Sequence, residues 1–571
     1  MEASFKKSYA SLGADRLVLL WLGVWGIANL VQAGFTELAN DEAYYHMFAE
    51  RLAWGYFDHP PVTALLVWAG ERLFGGELGV RFFFTVLQPL YLWILWRLIR
   101  PADAGRRDAA LFVVVSAATL MLQLYGFIAV PDGPLMFTAA LFLLTFKWFS
   151  ENRRRAWLWM GIAMALMAYS KYHGALVVLF ALAATPPRVF LRPTLYLSGA
   201  VALLLLVPHF VWQYEHDWAS LAYHLAGRNS VFRPGYVAEY LLNLLVVFNP
   251  FFVPLYVRSW IAVKPQNAVE RALKFIPAAF IVFFLLSTLR GYVQPQWVIV
   301  AVFGLLYTLF TYARRHPRTL RYLMRMGWVT LALIALTRLV MIFNPLGIRF
   351  EVFNNPESYA AIAAEADGRP VVFRYGYAVA AKYAFYTGSE AYCQPNIRYR
   401  THQWQFRDDD SQFIGREVLV ECPDGTVSDS TRQVRTLTMA NGRSFTWFVD
   451  PAFHPVRLVD IAFTGLPGRV AAGETLRLEL RIRNPYPYAI RVGAGDTQLV
   501  MLWKHGRFRV DEFPTGETFT IPADSELTRG VTFTVLPQLA GETFDVGFAL
   551  RREGYTNWFN GKSVPTEVGN L

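Results

Sequence analysis

Three carboxylates and a few cations stand out for where they lie. Asp41 and Glu42 come directly after an apolar run, Leu17 to Leu38, and open the stretch Asn40 to Pro61, which reads NDEAYYHMFAERLAWGYFDHPP. A carboxylate beside hydrocarbon needs a cation, a donor or water, and such surroundings raise its pKa, which makes it a stronger base and suits a general base. The competing explanation is a pair of acids at a helix N-terminus, where negative charge is favoured. Asp132 lies in Pro131-Asp132-Gly133-Pro134, which interrupts two apolar runs. A turn aspartate bonded to its own backbone is the alternative there. Lys171 and His173 fall in Tyr169-Ser170-Lys171-Tyr172-His173-Gly174, and Arg290 opens Arg290-Gly291-Tyr292-Val293-Gln294-Pro295-Gln296-Trp297. Cations at these helix ends suit an anionic lipid phosphate through charge-assisted hydrogen bonds, with snorkelling to the interface as the competing use.

Around these groups sit a second polar knot, Asp58-His59-Pro60-Pro61, and the aromatics Tyr44, Tyr45, Tyr56, Trp212, Tyr214, Trp218, Tyr223 and Trp297. Such rings serve either sugar stacking or an interfacial belt. Tyr45, Phe48, Leu52 and Phe57 share one side of a helical reading, which predicts an amphipathic helix on a membrane surface. His209, His216 and His224 have no metal-ligand spacing and read as polar loop residues. No phosphate-binding glycine loop or serine elbow is present.

The elements that hold these residues are membrane helices. Of 571 residues, 54% are hydrophobic, 16% aromatic and 17% charged, and the apolar runs approach the ~18–20 residues needed to span a bilayer. Eleven spans are expected, at 17–37, 79–99, 109–130, 134–150, 156–172, 174–186, 194–213, 237–257, 273–289, 296–312 and 326–344. The first follows Lys6, Lys7 and Arg16, has no small-residue cleavage site after it, and reads as an uncleaved anchor. The net charge of +11 is spread over short basic clusters between spans. That is the pattern of cytoplasmic loops, and it leaves no basic face for nucleic acid. With the N-terminus inside, Asp41, Glu42, His59, Asp132, Lys171, the loop 214–236 and Arg290 all fall on the external face.

Beyond Pro345 the chain turns polar. Residues 349–452 mix helix-like and strand-like pieces, and from 453 the pattern is one of strands. Leu476, Leu478, Leu480 and Ile482 alternate with Arg477, Glu479, Arg481 and Arg483, the mark of a half-buried strand. The expected architecture is a polytopic α-helical membrane domain over 1–348, a periplasmic α/β domain over 349–452 and a periplasmic, immunoglobulin-like antiparallel β-sandwich over 453–571. Cys393 and Cys422 permit a disulfide outside the cytoplasm and permit two free thiols equally well.

Asn40-Asp41-Glu42-Ala43-Tyr44-Tyr45, His59-Pro60-Pro61, Leu73-Phe74-Gly75, Pro131-Asp132-Gly133-Pro134-Leu135 and Lys171-Tyr172 occur in an order and spacing that resembles the GT-C integral-membrane glycosyltransferases. The likeness is to family 39, the dolichyl-phosphate-mannose protein mannosyltransferase group, with the lipid A aminoarabinose transferases as cousins. It covers residues 15–345. It implies an inverting transfer of a sugar from a polyprenyl-phosphate donor, undecaprenyl phosphate in bacteria, to a lipid or protein acceptor. It also implies a multi-pass protein of the bacterial inner membrane, N-terminus cytoplasmic, with its active site in the periplasm. On the resemblance Asp41, Glu42 and Asp132 are the catalytic carboxylates. His59, Lys171, Tyr172, His173, Arg290, Tyr292 and Tyr45 bind the donor phosphate or substrate. A divalent cation, magnesium or manganese, serves some descriptions of such sites, and here its ligands would come from Asp41, Glu42 and Asp132. The rival reading is a transporter, flippase or binding protein for lipid-linked glycans. A transporter would place its charges near mid-membrane on broken helices, whereas here the acids gather at one face.

Overall fold

The computed structural model describes residues 2–227, 232–425, 427, 432–493, 497–506 and 509–569. Residues 228–231 of the loop 214–236 therefore lie outside the described residues. The chain forms two compact units, Met1–Phe353 and Asn354–Leu571.

The first unit is helical throughout. Its elements are α1 (Glu2–Phe35), α2 (Asn40–Ala49), α3 (Val62–Glu71), α4 (Gly76–Ile99), α5 (Arg106–Ala117), α6 (Leu120–Leu124), α7 (Asp132–Ser150), α8 (Ala156–Ser170), α9 (Gly174–Ala183) and α10 (Pro193–Glu215). After these come α11 (Ala219–Ala222), α12 (Pro234–Val247), α13 (Val253–Ala262), α14 (Ala268–Ser287), α15 (Ala301–Arg315) and α16 (Pro317–Phe343). Each expected span is helical over most of its length. Among the described residues five helices are long and apolar enough to cross a membrane: Leu12–Phe35, Gly76–Ile99, Asp132–Ser150, Pro193–Glu215 and Pro317–Phe343. Other expected spans are interrupted. The run 109–130 breaks after Ala117, and 237–257 breaks between Val247 and Val253, where Asn249 takes a positive φ of 72°.

The two ends of the bundle differ in chemistry. At one end Asp15 accepts from Trp96 at 2.7 Å and pairs with Arg100 at 3.4 Å, Arg314 reaches Asp103 and Asp108, and Arg192 donates to the Phe149 carbonyl. At the other end Arg81 donates to the carbonyls of Ala33, Thr36 and Glu37 at the close of α1. Arg81 and Arg97 of α4 are 16 residues apart, about 24 Å at 1.5 Å per residue. The basic loops thus gather at one end, and the candidate site forms at the other. Glu351 accepts from the Asn40 backbone, so the unit's last residues also lie at the site end.

One expectation fails. The stretch Asn40–Phe57 is not an amphipathic helix lying on a surface. Helix α2 stops at Ala49 and is buried on nearly all sides, with Glu42, Ala43, Tyr44, Tyr45, Met47, Phe48 and Ala49 inside. After it the chain folds back, because the Tyr56 hydroxyl donates to the Phe48 carbonyl and accepts from the Ala53 N–H. Gly55 is needed at the bottom of that fold: a Cβ there would stand 2.4 Å from the Trp212 ring.

The second unit begins with α17 (Asn355–Ala366), β1 (Val371–Phe373), α18 (Tyr377–Thr387), β2 (Ala391–Cys393), β3 (Val418–Glu421), β4 (Arg435–Thr438) and β5 (Ser444–Asp450). These strands make one mixed sheet, ordered β2-β1-β3-β5-β4. It continues with β6 (Asp460–Thr464), β7 (Arg469–Ala471), β8 (Thr475–Asn484), β9 (Ile490–Val492), β10 (Thr497–His505), β11 (Arg509–Pro514), β12 (Phe519–Ile521), β13 (Ser525–Thr534), β14 (Thr543–Arg552) and β15 (Val564–Gly569). Sheets β11-β10-β14-β15-β7 and β13-β8-β6 share one core, in which Leu478 and Leu480 of β8 join Trp503 of β10 and Phe548 of β14. Burial along β8 alternates residue by residue, with Leu476 to Ile482 inward and the charged residues between them outward. Cys393 and Cys422 are both buried.

Candidate active site

Helix α2 delivers both acids at its first turn, and they end in different surroundings. Glu42 is fully buried. Its Oε1 accepts from Arg81 Nε at 2.6 Å and from the Ala129 N–H at 2.8 Å; its Oε2 accepts from Arg81 Nη2 at 2.6 Å and from the Ala39 N–H at 2.9 Å. This is a bidentate pair of the strong, geometrically exacting kind. It also ties four segments together: the end of α1, the start of α2, α4 and the loop before α7. Asp41, one residue earlier, is exposed.

Asp132 starts α7 three residues beyond the Ala129 contact. It is buried and bonded by Lys171 Nζ through both oxygens, at 2.7 and 2.9 Å. Lys171 occupies an extended residue between α8 and α9. Asp41 adjoins Glu42, whose Oε1 accepts from the Ala129 N–H three residues before Asp132, so the two carboxylates belong to one neighbourhood.

Beside Lys171 runs a chain of aromatic and imidazole groups. The Tyr172 hydroxyl is 3.2 Å from His209 Nε2 and accepts from Gln213 at 3.0 Å. His209 Nδ1 donates to the Trp54 carbonyl at 2.7 Å, fixing which nitrogen faces Tyr172. The Tyr172 and His224 rings lie 5.2 Å apart, His224 contacts the Asp58 carbonyl, and its ring is 6.4 Å from that of His59. His59 in turn meets Tyr45 at 5.4 Å. Residues from α2, the 50–61 loop, the 171–173 break and α10 are thus continuous. His173 points elsewhere and packs on Phe284 and Trp297, each at 5.2 Å. Tyr292 contacts Tyr236, and Arg290 is exposed in the loop after α14.

The structure therefore brings Asp41, Asp132, Lys171, Tyr172, His59 and Tyr45 into one region and sets His173, Arg290 and Tyr292 on the α14 side. Two of the histidines read from sequence as loop residues, His209 and His224, belong to the network. Reading the sequence also missed Arg81, the partner of Glu42, and Arg338 of α16, whose Nη2 donates to Asn29 at 2.6 Å and Gln123 at 2.9 Å. Each is a lone charge inside an apolar run, which is itself a signal of a partner. Among the described residues no three His, Cys, Asp or Glu side chains converge so as to hold a metal ion. Glu42 and Asp132 spend their oxygens on Arg81 and Lys171, so the three carboxylates do not fit a shared cation.

Residues 58–212 match the family described as dolichyl-phosphate-mannose-protein mannosyltransferase. No curated protein sequence matches the chain. The fold is similar to that of ArnT from Cupriavidus metallidurans in its apo state, at 17% identity and a TM-score of 0.56, covering 76% of this chain and 97% of that one. The same enzyme bound to undecaprenyl phosphate matches at 16% identity, a TM-score of 0.56 and the same coverage. The chain thus carries the pattern of that mannosyltransferase family over residues 58–212, and its fold is similar to that of ArnT.

Proposed function

We propose that the protein is an inverting glycosyltransferase that moves a sugar from a polyprenyl-phosphate monosaccharide to a hydroxyl of a lipid, such as lipid A or another glycolipid, or of a protein. The reaction takes place at the periplasmic face of a bacterial inner membrane. The observation that carries this reading is the buried Asp132–Lys171 pair beside the exposed Asp41, at the end of the bundle opposite the basic loops. The likeness to a fold that holds undecaprenyl phosphate in ArnT supports a polyprenyl donor.

In this reading Asp41 takes the proton of the acceptor hydroxyl as its oxygen attacks the anomeric carbon. The bond from that carbon to the phosphate oxygen breaks, and its electron pair leaves with the phosphate. A single displacement on the far face gives inversion. Lys171, held by Asp132 in a low-dielectric pocket, stabilises the charge gathering on the phosphate, the role in which fixed cations lower barriers most. Arg290 supplies a second, more exposed cation. Tyr45, His59 and Tyr172 line the approach with rings and donors suited to a sugar, and His173 and Tyr292 brace the α14 side. Glu42 is a positioning residue, since its oxygens are already engaged by Arg81 and two backbone donors.

The test is release of polyprenyl phosphate from a panel of polyprenyl-phosphate sugars by the protein in liposomes, with lipid and protein acceptors supplied. Lys171→Met should lower release by ~100-fold, the usual scale for losing one charge-stabilising donor. Turnover of the variant at the wild-type rate would overturn the phosphate role. Consumption of no donor in the panel would overturn transfer from polyprenyl phosphate.

A further inference from the structure

The second unit holds a cavity of about 270 Å³ that the proposed transfer does not use. It lies between β2 of the mixed sheet and the segment joining β14 to β15. That segment is fixed in place: the Ile397 N–H donates to the Asn557 carbonyl at 2.8 Å, and Gln394 Oε1 accepts from the Thr556 N–H at 2.9 Å and its hydroxyl at 2.8 Å.

Two kinds of surface meet in this cavity. Phe406, Tyr555 and Trp558 supply aromatic wall, while Tyr392, Gln405 and Asp410 supply polar groups. Tyr392 is 1% exposed, yet among the described residues its hydroxyl has no hydrogen-bond partner, and neither does the buried Gln405 Nε2. A buried hydroxyl or amide left unpaired is costly, so two of them on residues lining one cavity call for an occupant. Asp410 is 1% exposed and held by Arg457 through Nη2 at 2.7 Å and Nε at 3.1 Å, which fixes its carboxylate in one orientation.

The polar groups and rings select the occupant. A fixed carboxylate, a phenol and an amide are the donors and acceptors that bind vicinal hydroxyls, and aromatic wall suits the C–H faces of a ring. A phosphate is disfavoured, because Arg457 pairs with Asp410 and Arg552 pairs with Asp450 at 3.1 Å. The volume falls just under the ~300–1,000 Å³ of sites for larger small molecules, which limits the occupant to about one ring. We propose that this cavity binds a single neutral sugar ring of a glycan, independently of the transfer chemistry.

The test is titration of the full-length protein, in phosphatidylglycerol nanodiscs free of sugar-headed detergent, with methyl mannoside, methyl galactoside, arabinose and N-acetylglucosamine. Binding is read by saturation-transfer NMR. At least one sugar should bind to wild type, and Tyr392→Phe, which removes a single oxygen, should raise its Kd by about tenfold, the worth of one well-placed hydrogen bond. Asp41→Asn should leave that Kd unchanged, which separates this cavity from the transferase site. The proposal is overturned if none of the four sugars binds, as when ordered water alone fills the cavity. It is equally overturned if Tyr392→Phe binds like wild type, or if Asp41→Asn abolishes binding.

Discussion

Breaking the Glu42–Arg81 pair should damage the fold far more than removing both residues together would suggest. Both side chains are fully buried, and the pair is bidentate at 2.6 Å on each arm. Arg81→Met strands a buried carboxylate on two backbone donors, and Glu42→Leu strands a buried guanidinium among the carbonyls of Ala33, Thr36 and Glu37. Removing one member of a buried pair costs ~3–5 kcal/mol. The double variant loses both charges at once, so its cost should fall short of the sum by ~2 kcal/mol or more. It will not reach zero, because the N–H groups of Ala39 and Ala129 and the α1 carbonyls lose their partners at ~1–3 kcal/mol each. The assay is reversible unfolding in mixed micelles, followed by tryptophan fluorescence for wild type, the two single variants and the double. Additivity within ~0.5 kcal/mol, the behaviour of uncoupled sites, or a single-variant cost below ~1 kcal/mol would refute the claim that this pair clamps α1, α2, α4 and the loop before α7.

Other outcomes follow from the same geometry. Asp132→Asn should lower polyprenyl phosphate release by ~100-fold, and it should also cost ~3–5 kcal/mol of stability by leaving Lys171 buried without its counter-ion; unfolding and turnover measured on one preparation check both. Gly55→Ala should cost ~1–3 kcal/mol, because the added methyl overlaps the Trp212 ring; an unchanged Tm would show that the 50–61 loop yields freely. In the second unit, burial holds the His402 imidazole down to about 3, below its ordinary 6.5. Between those values the unfolded chain binds the proton and the folded one does not, so stability rises with pH there and is lost on acidification, by up to ~1.4 kcal/mol per pH unit. His402→Gln should flatten the pH dependence of unfolding across that window, and an unchanged slope would refute it.

How far the sequence carries the reader depends on the range of the interaction. The alternation of Leu476 to Ile482 with charged residues is a local pattern, and β8 buries those leucines as the period of two requires. The bias of basic residues toward one set of loops is likewise visible before any contact is known, and it reappears as the Asp15, Asp103 and Asp108 ion pairs at one end of the bundle. Asp41 and Glu42 could be placed at a membrane exit but not told apart. What separates them is Arg81, 39 residues further on inside an apolar run, and the Ala129 N–H, 87 residues on. The helix expected through Phe57 was misread because local periodicity cannot show the Tyr56 hydroxyl bonding back to Phe48, nor the Trp212 ring that demands glycine at position 55. His209 and His224 became part of the site only through Trp54, Tyr172 and Asp58, none near them in sequence.

The most direct measurement of the central claim is the rate of polyprenyl phosphate release by Asp41→Asn in liposomes, beside wild type and with Tm recorded for both. Asp41 is exposed at the first turn of α2, so the amide should leave the protein folded, at a cost of ~0.3–1 kcal/mol for the charge lost from the helix N-terminus. A general base contributes ~10²–10⁴ in rate, so release should fall by at least ~100-fold. A folded Asp41→Asn protein that releases polyprenyl phosphate at the wild-type rate would contradict the account, and the base would have to be sought elsewhere.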